Sequence, residues 1–157
     1  MKTWKNKFQK VLAILLAICL VTGFMEVSQV QAATKKSGTT YYHTHLVRQK
    51  GGRKPAGNKY YYDTGTMKVV CKGNTLTMYS SFNKSKNGVL DASKKGFVKY
   101  GKHTFKLTSK TKYCYYDDMG RINSTKARFI SSIKRLNGLS LWIKVTNGKV
   151  VEMSLHS

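Results

Sequence analysis

The sequence predicts a small, mainly β domain with a single helix. Between Thr66 and the C-terminus, apolar residues recur at every second position in several short runs, the signature of half-buried strands. Two of the connections are two-residue turns, Gly73-Asn74 and Asn147-Gly148, which suit tight hairpins. One stretch only, residues 124–137, breaks the alternation and repeats at helical spacing.

Taken in order, Met67, Val69 and Cys71 share one face of the first strand and Lys68, Val70 and Lys72 the other. After the Gly73-Asn74 turn, Leu76, Met78, Ser80 and Phe82 alternate with Thr75, Thr77 and Tyr79. Residues 83–96 are a polar loop with repeated Ser and Lys. Phe97–Tyr100 then turns at Gly101 into His103–Thr108, where Phe105 and Leu107 point inward between Thr104, Lys106 and Thr108. Lys112–Tyr116 is again extended, and Asp117-Asp118-Met119-Gly120 reads as a turn.

The helix places Phe129, Ile130, Ile133 and Leu136 on one face. Asn123 or Ser124 suits its start, Lys134 and Arg135 its negative end, and Asn137-Gly138 its stop. Leu139, Leu141, Ile143 and Val145 follow, alternating with Ser140, Trp142, Lys144 and Thr146. The last strand offers Val151, Met153 and Leu155 to the core.

This order, three strands, a helix and two strands, resembles the OB-fold over residues 66–156. The resemblance implies a five-stranded barrel without free sheet edges. An open antiparallel sheet covered by one helix has the same order of elements. In the barrel the first and fourth strands pair, which brings Lys68, Lys72, Trp142 and Lys144 onto one outer surface. The resemblance also implies a ligand face on the second and third strands, at Thr77, Tyr79, Thr104 and Lys106. The two loops that would flank such a ligand are the minimal Gly73-Asn74 and Asn147-Gly148 turns, which have no reach.

Upstream, residues 33–65 read as a basic, Tyr- and Gly-rich arm, partly disordered. Within it Thr39–Val47 and Tyr60–Tyr62 have strand character, and Lys50–Pro55 is a turn-prone basic linker. Residues 1–32 have the three parts of a bacterial-type export signal. Lys2, Lys5, Lys7 and Lys10 precede an uncharged run of 14 residues, Val11 to Phe24, and Val30-Gln31-Ala32 suits cleavage after Ala32. A helix of that length rises about 21 Å against a hydrocarbon core of about 30 Å, so a cleaved leader fits better than an anchor. Ile18 before Cys19 argues against lipidation.

Of 29 basic and 6 acidic residues, the leader removes four lysines and one acid, leaving 25 against five. So lopsided a charge draws polyanions from a distance. Outside the cell these are anionic envelope polymers and acidic polysaccharide, with nucleic acid less favoured. Cys71 and Cys114 remain in an oxidising compartment, either joined as a disulfide or held as two separate buried thiols.

Catalysis finds little support. Paired carboxylates need two acids in one cleft, and Asp117-Asp118 are adjacent in a turn while Asp63, Asp91 and Glu152 are isolated. A thiol paired with His103 would use Cys71 or Cys114, both in regular strands. His43 and His45 share a strand face, but zinc takes three or four ligands and nothing nearby completes the set. No metal or cofactor is expected.

The expectation is therefore a secreted or wall-associated, noncatalytic binding domain for anionic extracellular polymers. Its binding residues would be Lys68, Lys72, Trp142, Lys144, Tyr79 and Lys106. Trp142 stands in the polar phase of its strand, where it either stacks on a ligand or packs beneath the arm. Two alternatives are a protein-interaction module that uses the arm and a membrane-active antimicrobial or toxin protein, the latter lacking a basic amphipathic helix with a broad apolar face.

Overall fold

A computed structural model describes residues 38–47 and 62–157. The leader, residues 33–37 and residues 48–61, with the Lys50–Pro55 linker and Tyr60-Tyr61, lie outside the described residues. Among the described residues there are eight strands: β1 (Thr39–Leu46), β2 (Gly65–Lys72), β3 (Thr75–Ser85), β4 (Phe97–Lys106), β5 (Lys112–Asp117), β6 (Gly120–Ser124), β7 (Ser140–Thr146) and β8 (Lys149–His156). The helix α1 (Lys126–Arg135) joins β6 to β7. The strands form one sheet in the order β4-β3-β2-β1-β7-β8-β5-β6. Pairing of Lys106 on β4 with Lys149 on β8 closes the first six into a ring. Among the described residues no helix is long and apolar enough to cross a membrane.

The mainly β, one-helix fold is as the sequence predicts, but the strand count is eight and not five. The three extra strands have three separate causes. β5 is the extended run Lys112–Tyr116, lengthened by one residue. β6 presents Arg121, Ile122 and Asn123 to solvent and so carries no apolar alternation to detect. β1 comes from the segment assigned to the arm, and it sits inside the sheet between β2 and β7.

That insertion overturns the expected pairing of strand 66–72 with strand 139–145. β1 runs antiparallel to β7 over seven register pairs, from Thr39 opposite Thr146 to His45 opposite Ser140. It also pairs parallel to β2 at His45–Gly65 and antiparallel to β3 at His43–Asn83. Its inward side chains are Tyr42, Thr44 and Leu46. Thr44 is fully buried, and its hydroxyl lies 3.1 Å from both Thr66 Oγ1 and Ser80 Oγ, which are themselves 2.7 Å apart. A hydroxyl cluster with every member bonded is tolerated inside a barrel. It also disguises a core strand as a polar one.

The core fills the ring. Leu76, Met78 and Phe82 of β3 meet Phe105 of β4, Leu141 and Ile143 of β7, and Met153 and Leu155 of β8, all nearly or fully buried. Full burial of side chains of this size stabilises by roughly 1.5–3 kcal/mol each. Tyr42 sits edge-on to Phe82 at 5.7 Å and Phe105 at 5.3 Å. Val150 points inward where Val151 was expected, because a bulge opposite Lys144 and Val145 shifts the phase by one residue.

Helix α1 covers the core with Phe129, Ile130 and Ile133. Phe129 packs on Tyr113 at 5.4 Å and Tyr115 at 5.6 Å, and the Tyr115 hydroxyl lies 2.9 Å from Ser132 Oγ. The cap is Thr125, one residue beyond the expected Ser124, with its hydroxyl accepting from Arg128 N at 3.3 Å. Leu136, expected in the core, is the extended C-cap and is 41% exposed. The two hairpin turns form as expected, with Gly73, Asn147 and Gly148 all at positive φ.

Candidate functional site

Alternation along the strands produces two unlike outer faces, one on β2, β3 and β4 and one that begins at β1. On the first, register aligns Lys68, Tyr79 and Lys102 across β2, β3 and β4. The next outward row is Val70, Thr77 and Thr104, and the third is Lys72, Thr75 and Lys106. Lys68, Lys72, Lys102 and Lys106 are all exposed. They occupy the corners of a rectangle about 10 Å across two strand spacings and about 13 Å along four residues. A neutral β3 side chain stands between each pair of lysines, so their backbone positions are about 10 Å apart, a little more than one Debye length, about 8 Å at physiological salt. Lys68 Nζ lies 5.5 Å from the centre of the Tyr79 ring, a cation–π distance. Burial raises the Tyr100 phenol, assisted by the neighbouring Tyr79.

Among the described residues the one ion pair is Arg121–Glu152 at 3.0 Å, between β6 and β8. Asp91 is committed to its own loop. Its carboxylate accepts from Ser93 N at 2.7 Å, and the Asn83 side chain holds its backbone at both N–H and C=O. The four lysines therefore face solvent as uncompensated cations.

The second face spans β1, β7, β8, β5 and β6. One register row carries His43, Trp142, Ser154, Cys114 and Asn123, and a neighbouring row carries His45, Ser140, His156, Tyr116 and Arg121. His43 lies 4.7 Å from the Trp142 ring and 4.8 Å, edge-on, from His45. Tyr116 stacks on His156 at 4.6 Å, and His156 Nε2 is 2.9 Å from Ser154 Oγ. His43 is 3% exposed, and its Nδ1 has no hydrogen-bond partner. Burial, then the neighbouring His45 and His156, pulls its pKa down to about 4. Burial lowers His156 as well.

The expected site thus divides. Lys68, Lys72, Tyr79 and Lys106 gather on the first face together with Thr77 and Thr104. Trp142 and Lys144 stand on the second, because β1 occupies the gap the pairing would have closed. Trp142 packs against His43, a residue of the segment read as the arm, and Lys144 Nζ sits 5.4 Å from the Tyr41 ring. Lys102 was missed although it shares the alternation of Thr104 and Lys106. Tyr116 and His156 left no comparable signal, since only the strand order brings them together.

Both thiols are free in the structure. Cys71 is half-buried and donates to Gly73 O at 3.7 Å, while Cys114 is buried and donates to Met153 O at 3.8 Å. Burial and then the Glu152 charge raise the Cys114 pKa, the opposite of what a nucleophilic thiol requires. His103 is buried against Phe82 with Nε2 3.2 Å from Lys99 O, and burial lowers its pKa. Asp117 closes the β5–β6 turn by accepting from Met119 N at 2.9 Å. Among the described residues no group of three His, Cys, Asp or Glu is placed to hold a metal ion. Comparison with family models, curated proteins and solved structures returns no match to this chain.

Proposed function

We propose that this chain is an exported, noncatalytic binding domain that attaches to an anionic polymer of the cell envelope. The observation that carries the reading is the rectangle of Lys68, Lys72, Lys102 and Lys106, held on three hydrogen-bonded strands without a carboxylate partner. A rigid sheet holds the cationic groups at set spacings, so less conformational freedom is lost on binding than with a flexible tail. Tyr79 and the flanking threonines add contact area and hydroxyl groups between the charges. The leader read in residues 1–32 places the encounter outside the cytoplasm, where wall polymers and acidic polysaccharide are the abundant polyanions.

The test is attachment of the protein to purified cell-wall polymer across a salt series, for the natural chain and for Lys68→Glu/Lys102→Glu. Attachment that weakens steeply with salt and is lost in the variant supports the proposal. Attachment indifferent to both sinks it.

A further inference from the structure

Aromatic rings standing on the solvent side of a sheet invite a ligand, because a contiguous row of them is unusual on a surface with no partner. The second face has such a row. Ring contacts pass from His43 to Trp142 at 4.7 Å, from Trp142 to His156 at 6.5 Å and from His156 to Tyr116 at 4.6 Å. Trp142, His156 and Tyr116 are each half-buried, so part of each ring remains open. The open part of the row crosses β7, β8 and β5, about 10 Å at the usual strand spacing, with the buried His43 backing Trp142.

Its far end is polar and cationic. Tyr116 lies opposite Arg121 in register, and Arg121, Lys112 and Asn123 line an open cleft of about 530 Å³. Lys144 stands on the same face beside Tyr41. Glu152 is the carboxylate here, and Arg121 engages it at 3.0 Å, so cations outnumber it. The exposed Asn123 supplies an amide group beside the charges, while the buried Ser154 holds the His156 ring in place through its hydroxyl.

We propose that this face is a second binding site, for an acidic oligosaccharide. Sugar rings lie with their C–H faces against Trp142, His156 and Tyr116, and a carboxylate or phosphate substituent meets Lys112 and Arg121. The inference rests on the polymer reading for the sign of the ligand's charge and adds that the ligand contains sugar rings. Stacking is a contact interaction, so it survives salt that erases the attraction of the lysine rectangle.

The test follows the fluorescence of Trp142 in the chain carrying Trp4→Phe, which leaves one indole. The probes are tetragalacturonate, its neutral methyl ester and inorganic polyphosphate at physiological salt. Tetragalacturonate is expected to shift the emission and saturate. The methyl ester shifts it with roughly tenfold weaker affinity. Polyphosphate binds by calorimetry yet leaves the emission in place. Tyr116→Ala, at a half-exposed position, weakens tetragalacturonate roughly tenfold and leaves polyphosphate binding intact. Emission that ignores both sugars overturns the proposal, and so does an equal response to polyphosphate. Failure of polyphosphate to bind anywhere removes the lysine rectangle while the sugar site stands.

Discussion

The two outer faces are built from the same alternation of residues, yet they respond to different physical variables. The β2–β3–β4 face carries four lysines around small neutral side chains and no imidazole. The β1–β7–β8–β5 face carries packed rings, three histidines and a partly neutralised set of charges. As proposed, the first acts over distance and fades with salt, whereas the second acts by contact and is expected to answer to pH. The difference shows that a net charge as large as this one does not make a surface uniform. Strand order decides which residues meet, and the insertion of β1 between β2 and β7 parts Trp142 and Lys144 from Lys68 and Lys72.

Acid gives the largest expected effect, and it falls on the ring face. Burial holds the His43 pKa near 4, below its ordinary value of about 6.5. The unfolded chain therefore takes up the proton first as pH falls, so this contribution is complete above pH 6.5. It drains away as pH drops toward 4, a loss on the order of 3 kcal/mol. Urea unfolding at pH 7 and pH 4.5 measures it, and His43→Leu should flatten the slope. The buried His103 and the half-buried His156, lowered in the same direction, leave a smaller residual dependence. Binding of polyphosphate by the lysine face should hold steady over the same range while the fold persists. A parallel fall in both would erase the distinction between the faces.

Next comes charge reversal. Lys68→Glu/Lys102→Glu is expected to lower polyphosphate affinity on the order of a hundredfold at low salt, with little change in melting temperature. Reversing Lys144 instead should cost far less. Equal losses from either site would mean that total charge, not the rectangle, does the binding.

A smaller effect belongs to the strand inserted between β2 and β7. Thr44→Val removes one hydroxyl of the buried cluster but leaves Thr66 and Ser80 bonded to each other. The expected cost is about 1 kcal/mol in denaturant unfolding. Hydrogen exchange should show faster opening of β1 relative to β3. Smallest of all, Tyr79→Leu keeps every charge and loses the ring beside Lys68, which should weaken polyphosphate binding about threefold.

Much of this was legible in residues that repeat. The alternation in β2, β3, β4, β7 and β8, the Gly73 and Asn147-Gly148 turns and the amphipathic helix all follow from local chemistry, and the structure has each of them. β1 was legible as a strand over Thr39–Val47 but not as part of the core, because its inward residues include Tyr42 and Thr44, whose polar groups look solvent-seeking until the hydroxyls of Thr66 and Ser80 are placed beside them. β6 escaped because it buries almost nothing. The lysine face was partly legible, since Lys68, Lys72, Tyr79 and Lys106 lie in the outward phase of neighbouring strands. The ring face was not, because Trp142, His43 and His156 meet only through strand order, which alternation cannot supply.

The position of β1 also sets an order of events. Thr39 Oγ1 lies 2.9 Å from Thr146 Oγ1, across a sequence separation of 107 residues, and the ring closes where β4 meets β8. A growing chain that has not yet supplied residues 140–156 lacks the partner for most of β1 and the strand that closes the ring. Assembly must therefore wait for the C-terminal hairpin, and contacts of such long range make that last step slow. A fragment ending before β7 is left with β1 half-paired and an open edge, so the finished barrel requires β1 and the C-terminal hairpin together.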